Sequence, residues 1–475
     1  MLIDRFLQSV ERAPDSPAFF FNDKPITYLQ ARAILARAVV HLRQQGVKRG
    51  DLVGLALPQH PLYPILFMAL GWIGAMMVPL APNLRKSDRN EMIRKFDIRA
   101  LIAMTLEVVP AGCRLIQIEG IGARGTENMD EAGERGFDAD TPLRLAVTTG
   151  TTGLPKGVVQ THAAFEERMD RMHCDLVDVP RILPPGMHIT ISINLAMHAL
   201  CKGGAVVIPR NYSNTGLFDA IRMFGVTHVT LPPANLALLL VDLPGTTPAF
   251  PGVKHLRLVG STPTRQVLEL ARTKFSPHVY VPYGLGEVGL VSMALPEMVI
   301  SEPGSCGVLE PGVRLELSEE GEIRVHIPGQ PTDYHGPDAG LKTRFRDGWF
   351  YPGDRGHMSP EGMLYIEGRI DHIINVGGLK VSPEYSESVL MEFEGVREAA
   401  VFAVTDASGS TRMAAAIVPS GPLNWAALKD FALKRLQLTA PIRYLEVPSL
   451  PRNPMGKLER HLISEDALPE AKSRV

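Results

Sequence analysis

Cysteine is scarce in this chain of 475 residues: Cys113, Cys174, Cys201 and Cys306 stand far apart, with no CxxC pair. That argues against a zinc site or a disulfide framework and fits a reducing cytosol. An excess of either charge is also missing, since 49 Lys and Arg face 51 Asp and Glu for a net charge of −2. The balance leaves no broad basic surface for nucleic acid and no polybasic membrane anchor. The start, MLIDRFLQSVERAPDS, carries Asp4, Arg5, Glu11 and Arg12 and so lacks the apolar core of a signal peptide. An unbroken hydrophobic run is lacking as well. Leu52 to Leu84 contains no Asp, Glu, Lys or Arg, but Pro58, Pro61, Pro64, Pro79 and Pro82 divide it. It reads as a strand (LVGLAL), a helix (LYPILFMALGWIGA) and a strand (MMVPL), all buried, rather than as a membrane span.

What is present is ordinary globular composition, 45% apolar and 21% charged, in a chain long enough for two or more domains at about 100–200 residues each. Helical and strand patterns alternate. After Thr27, an N-cap, Ile34, Leu35, Ala38, Val39 and Leu42 fall on one helical face, and Gly46 can end the helix. Short apolar runs at Leu101–Ala103, Ala205–Ile208, His228–Leu231 and Leu256–Val259 suit buried strands of a mostly parallel sheet. Residues 112–140 are polar and Gly-rich and read as a surface loop. Near residue 370 the composition shifts. Before it lie GEIRVHIPG, RDGWFYPGDRG and GMLYIEGR, a hairpin-rich tract. After it, REAAVFAVTD and RMAAAIVP read as strands and NWAALKDFALKRL as an amphipathic helix, a small unit with 12 Lys and Arg against 12 Asp and Glu from His372 to Val475.

The segment LAVTTGTTGLPKGVVQTH, Leu145–His162, carries the most chemistry. It opens as an apolar strand and continues with Thr148, Thr149, Gly150, Thr151, Thr152, Gly153 and then Lys156. Glycines let backbone N–H groups turn inward, hydroxyls add donors and the lysine adds a point charge, which together suit a polyphosphate. It is not a Walker loop, because Pro155 stands where the glycine before the lysine should be.

Four further segments follow in order: YGLGEVG (Tyr283–Gly289), GWFYPGD (Gly348–Asp354), GRIDHIINVGGLKVSPEYSE (Gly368–Glu387) and PRNPMGK (Pro451–Lys457). With the Thr/Gly loop they resemble the motif series of the adenylate-forming superfamily: acyl- and aryl-CoA synthetases, peptide-synthetase adenylation domains and luciferases. The resemblance runs from about residue 5 to about residue 462. It implies an α/β fold, with a large N-terminal domain of mixed and parallel sheets and helices over residues 1–370. A small mobile α+β domain over 372–475 and a hinge at Asp371 complete the implied architecture.

The same resemblance implies the roles. The Thr/Gly loop and Lys156 would cradle phosphates, and Glu287 would hold the magnesium ion that bridges them, since hard cations take carboxylate oxygens. Tyr283 and Gly284 would lie against adenine. Asp354 would accept from both ribose hydroxyls, with Arg369 donating to the ribose or phosphate. Lys457 would neutralise charge on the α-phosphate while pyrophosphate leaves. Gly378 and Lys380 would meet the thiol substrate in a second conformation. His188 resembles the gate of the acyl pocket. Gly260, Ser261, Thr262 and Pro263 resemble the loop between acyl chain and adenine, and Met172, Met187, Met197 and Met293 could line an adaptable apolar pocket. Two positions depart from the family pattern, Gly286 and Pro352, where threonine is usual.

No Asp or Glu occurs between Arg181 and Arg210. An α-amino acid would need a carboxylate there for its ammonium group, so an uncharged aliphatic or aromatic carboxylic acid is expected. The implied reaction is ATP- and Mg2+-dependent formation of an acyl-adenylate, then transfer to a thiol, coenzyme A in the first instance. The alternatives are an acyl carrier protein's phosphopantetheine as acceptor, or a non-catalytic nucleotide-binding relative. A dinucleotide reading also has to be weighed, because Gly284–Gly289 is literally GxGxxG and Glu310 follows about twenty residues on. Pro296 and Pro303 break the crossover helix that reading needs. A cytoplasmic enzyme with no membrane span is expected.

Overall fold

The structure is a computed structural model that describes residues 1–475 apart from 106, 122–124, 126, 149–154, 173–177, 340–343, 377, 378, 407, 408, 453–457, 465–467, 469, 470 and 475. Among the expected site residues, Thr149, Gly150, Thr151, Thr152, Gly153, Gly378 and Lys457 therefore lie outside the described residues.

Local rules set the elements. Thr27 accepts from the Gln30 N–H at 3.2 Å while the Gln30 side chain accepts from the Thr27 N–H at 2.9 Å, a capping box that starts the helix Tyr28–Gln44. Gly46, at φ +76°, takes the left-handed conformation just beyond it. The charge-free stretch folds as read, with strand Leu52–Ala56, helix Leu62–Ile73 and strand Met76–Pro79. That helix is apolar on every side because it is buried on every side.

Among the described residues, six strands form one sheet in the order Arg114–Gln117, Ala100–Ala103, Leu52–Ala56, Met76–Pro79, Pro142–Thr148 and Lys156–Thr161. Its pairs are parallel except the last, a hairpin. A second sheet has nine strands among the described residues. At its centre Val279–Leu285, His255–Leu258, His228–Leu231, Arg181–Leu183, Ala205–Ile208 and Pro17–Phe21 run parallel. Antiparallel strands close both edges, Gly289–Ala294 with Val308–Leu309 on one side and Lys24–Thr27 on the other. One apolar core draws on both sheets and on the helices Leu2–Arg12, Tyr28–Gln44, Leu62–Ile73 and Thr190–Cys201. The helices Asn214–Met223 and Pro233–Val241 cover the far face of the nine-stranded sheet.

The expected loop over residues 112–140 needs correction. Arg114–Gln117 is an edge strand of the six-stranded sheet. At an edge only Ile116 is fully buried, so the segment carries almost no hydrophobic signal. The strand read as Leu256–Val259 spans His255–Leu258.

Beyond the two large sheets come short antiparallel pairs, including Asp354–Met358 with Leu364–Arg369. The C-terminal part builds its own sheet from Val396–Thr405, Thr411–Pro419, Arg443–Glu446 and Lys472–Ser473. The helices Pro383–Leu390 and Trp425–Leu436 pack on it around a core that includes Val389, Ile417, Leu428 and Tyr444.

Candidate active site

The hairpin Pro142–Thr148/Lys156–Thr161 ends with Thr148 opposite Lys156, so both residues stand at the mouth of the Thr/Gly loop. A second segment braces this mouth. Lys95 Nζ donates to the Pro155 carbonyl at 2.9 Å and pairs with Asp338 at 2.7 Å. The His335 N–H donates to the Gly157 carbonyl at 2.7 Å. Lys156 Nζ lies 4.9 Å from the centre of the Tyr334 ring, a cation–π contact that holds the ammonium against that ring.

The segment YGLGEVG is a second hairpin, joining Val279–Leu285 to the antiparallel strand Gly289–Ala294. A strand where a crossover helix would be required removes the dinucleotide reading of its glycines. Gly289 sits at φ +104°, a turn conformation that favours glycine. The turn points Glu287 at the first hairpin. Its Oε1 accepts from Thr148 Oγ1 at 3.1 Å and from the Tyr334 hydroxyl at 3.5 Å. From the helix His162–Asp170, Arg168 donates to the carbonyl oxygens of Gly286, at 3.3 Å, and of Glu287. Burial, and after it the charge of Arg144, lowers the Arg168 pKa from its usual value; the two carbonyls are the acceptors that let this guanidinium remain there.

Tyr283, four residues before Glu287, connects the same turn to a third group. Its hydroxyl donates to Asp354 Oδ2 at 2.5 Å. Asp354 is 6% exposed and faces Arg369 across the strand pair. Arg369 donates to Asp354 Oδ1 at 3.1 Å, to the Pro352 carbonyl at 2.8 Å and to Asp371 at 3.0 Å. Burial works against the Arg369 charge, but Asp354 and Asp371 outweigh it and hold its pKa above the usual value. Arg344 completes the group, reaching Asp371 at 3.3 Å and the Pro352 carbonyl. Burial first, and Asp354 second, push the Tyr283 phenol well above its ordinary pKa, so it stays a donor to the carboxylate. Pro352, a departure from the family pattern, serves through its carbonyl, which two guanidiniums share.

The acyl-pocket candidates are less connected. Gln59 clamps the loop that carries His188, donating to the Pro185 carbonyl and accepting from the Met187 N–H, both at 3.0 Å. Burial lowers the His188 pKa, which leaves a neutral imidazole at pH 7. Gly260, Ser261 and Thr262 are exposed on the loop after His255–Leu258, with Pro263 buried behind them. Met187, Met197 and Met293 are buried in apolar cores. Among the described residues, no hydrogen bond joins His188 or the 260–263 loop to Glu287 or Asp354. Lys380 is exposed on the antiparallel pair Ile374–Val376/Leu379–Val381.

Two groups form: Tyr283, Asp354, Arg369 and Asp371 through direct hydrogen bonds, and Glu287, Thr148 and Lys156 in contact or through Tyr334, with the turn Tyr283–Gly289 contributing to both. Arg168, Tyr334 and Arg344 are not legible in the sequence as site residues. Each comes from a segment outside the motifs and reaches the site through tertiary packing.

A magnesium ion fits what is here. Among the described residues no cluster of three His, Cys, Asp or Glu could hold a metal. A lone carboxylate at the mouth of a phosphate-type loop is nevertheless the donor set this ion uses when substrate phosphates supply the other ligands.

Comparison with known proteins bears on the family and the fold. A 2-succinylbenzoate–CoA ligase of Bacillus licheniformis is 27% identical over 474 residues, covering 96% of this chain and 98% of the relative. A fatty acid–[acyl-carrier-protein] ligase of Streptomyces coeruleorubidus is also 27% identical, over 486 residues, covering 95% of this chain and 93% of the relative. The solved structure of o-succinylbenzoate CoA synthetase from Bacillus subtilis, in complex with its acyl-adenylate intermediate, shares the fold at a TM-score of 0.86. It is 23% identical and covers 96% of this chain and 97% of that one. The same synthetase with ATP and magnesium ion gives a TM-score of 0.86 at 24% identity, over 96% of this chain and 98% of that one. The family model described as AMP-binding enzyme matches residues 6–331, more than half of the chain, and the chain belongs to that family.

Proposed function

We propose that this protein is an acid–thiol ligase. It would use ATP to activate a carboxylic acid as an acyl-adenylate and then pass the acyl group to a thiol, coenzyme A in the first instance. One observation carries the reading. The turn Tyr283–Gly289 touches the buried Asp354 through Tyr283 and the mouth of the Thr/Gly loop through Glu287, two contacts four residues apart. A nucleoside end and a phosphate end are therefore addressed by one rigid element.

In this mechanism Asp354 accepts from the ribose hydroxyls, with Arg369 and Tyr283 fixing its two oxygens, and Tyr283 and Gly284 lie against adenine. The Thr148–Gly153 loop and Lys156 would hold the phosphates, and Glu287 would hold Mg2+, which would supply charge neutralisation there. A substrate carboxylate oxygen attacks the α-phosphorus, the bond to the β-phosphate bridging oxygen breaks, and pyrophosphate leaves. Lys457 stabilises the negative charge that grows there. The thiolate then attacks the acyl carbonyl and AMP leaves.

Residues 1–370 and 372–475 act as two bodies that pivot at Asp371. The separate apolar core of the C-terminal part supports this. So does the hold of Arg344 and Arg369 on the Asp371 carboxylate, an interaction that a rotation can exchange. Gly378 and Lys380 meet the thiol after that rotation. His188 and the 260–263 loop line the acid pocket, and the lack of Asp and Glu from Arg181 to Arg210 favours an uncharged aliphatic or aromatic acid.

The second acceptor is a carrier-protein phosphopantetheine, favoured by the similarity to the Streptomyces ligase. No helix among the described residues is long and apolar enough to cross a membrane. The four scattered cysteines, without a CxxC pair, favour a cytoplasmic enzyme. The test is carboxylate-dependent ATP–pyrophosphate exchange over aliphatic, aryl and amino acids, followed by thioester formation with free coenzyme A or a carrier protein. Absence of exchange with every acid would leave a nucleotide-binding protein without the reaction.

A further inference from the structure

Residue 286 is a glycine, and its place against Thr148 accounts for it. A Cβ built on Gly286 would lie 2.7 Å from the Thr148 Cγ2 methyl, closer than carbon atoms approach without one of them moving. Its φ is not in the left-handed region, so the backbone alone does not require glycine here. The methyl cannot retreat independently, because Cγ2 and Oγ1 share one Cβ. Rotating one away turns the other, and a β-branched side chain has few rotamers open to it. The strand beneath is held as well, with Thr148 paired to Lys156 across the hairpin.

The Oγ1 that would be turned is the nearer donor to Glu287 Oε1, at 3.1 Å. Its other acceptor, the Lys156 carbonyl, is at 3.4 Å, and the Tyr334 hydroxyl reaches the same Oε1 only at 3.5 Å. We propose that Thr148 is a positioning residue for the Glu287 carboxylate and that Gly286 is the seat for its methyl. With Oε1 occupied by Thr148 and Tyr334, Oε2 is the oxygen free to face a cation. This rests on the reading of Glu287 as the residue that holds Mg2+. Partners that orient a liganding carboxylate affect metal affinity by about ten- to a hundredfold when removed.

The test uses G286A, T148V and the double variant T148S/G286A, which keeps the hydroxyl and deletes the clashing methyl. The first readout is the melting temperature of the ligand-free protein. G286A should lower it and T148S/G286A should restore most of the loss. The second is the extra rise in melting temperature that ATP with Mg2+ gives over ATP with EDTA, titrated in Mg2+. G286A and T148V should both need about tenfold more Mg2+ for half the effect, and the double variant should return toward wild type.

Equal Mg2+ requirements in G286A and T148S/G286A would overturn the proposal. So would a T148V that keeps the wild-type Mg2+ requirement, because the Thr148 hydroxyl would then not orient Glu287. A wild-type protein that shows no Mg2+-dependent rise overturns the role of Glu287 and the positioning role with it. The ligand-free comparison of G286A with the double variant separates that failure from a failure of the Gly286–Thr148 fit.

Discussion

Replacing Asp354 with alanine should weaken ATP and AMP binding by about a hundredfold or more. The carboxylate is buried, its Oδ1 takes one Arg369 N–H and its Oδ2 takes the Tyr283 hydroxyl. A carboxylate has room for about four hydrogen bonds, which leaves two for the ribose hydroxyls. Each charge-assisted bond contributes about 1.5–3 kcal/mol. Even the lower value, taken twice, is about 3 kcal/mol, roughly two decades in affinity. The variant also costs stability, since the Tyr283 hydroxyl loses its acceptor, an effect of about 1–3 kcal/mol. Arg369 is buffered, because Asp371 and the Pro352 carbonyl still hold it. Asp354→Asn keeps one acceptor oxygen and loses the charge, so it should fall between wild type and alanine. Calorimetric titration of ATP and AMP into the three proteins, with melting temperatures recorded without ligand, separates the two effects. If alanine lowers the melting temperature yet both nucleotides bind within about threefold of wild type, Asp354 is a latch between Tyr283 and Arg369 and not a ribose acceptor.

Lys457→Ala should slow ATP–pyrophosphate exchange by about 10²–10³ and largely spare thioester formation from supplied acyl-adenylate; equal slowing of both half-reactions would contradict the two-body mechanism. His188→Ala should change which acids support exchange while ATP affinity holds, measured as relative rates over the acid panel; a uniform loss across acids together with weaker ATP binding would take His188 out of the pocket wall. Acid should destabilise the fold through His162, whose imidazole is stacked on Phe137 at 4.3 Å and pushed down to about 4, first by burial. Its folded pKa lies below the unfolded value of about 6.5, so the unfolded chain takes the proton first. Stability is full above about pH 6.5 and falls by about 3 kcal/mol as pH drops toward 4. His162→Phe should flatten that limb of a urea-midpoint profile, and an unchanged slope would contradict this account.

The elements follow from residues close in the chain. The capping box at Thr27 and the proline-divided apolar stretch from Leu52 are set by interactions within a few positions, so both are legible in the sequence alone. The Thr/Gly loop reads as phosphate-type from its own residues, whereas the roles given to Glu287, Asp354 and Arg369 rest on the resemblance of their segments to a known motif series. The edge strand Arg114–Gln117 is not legible, since an edge position buries too little to leave an apolar pattern.

The joining of these pieces is decided only by tertiary structure. Tyr283 can be read against adenine, but its hydrogen bond to Asp354 spans 71 residues. Arg168 lies 118 residues from the Gly286 carbonyl it caps, and Tyr334 enters between Lys156 and Glu287 from an unrelated loop. In the sequence Gly286 reads as a lost hydroxyl; beside Thr148, 138 positions earlier, it is the space that the Thr148 methyl fills. Sequence spacing describes what a residue can do along its own element. Which groups then share a proton, a carbonyl or a van der Waals volume depends on how the hairpins of two different sheets meet, and that meeting is set by the packing of the cores beneath them.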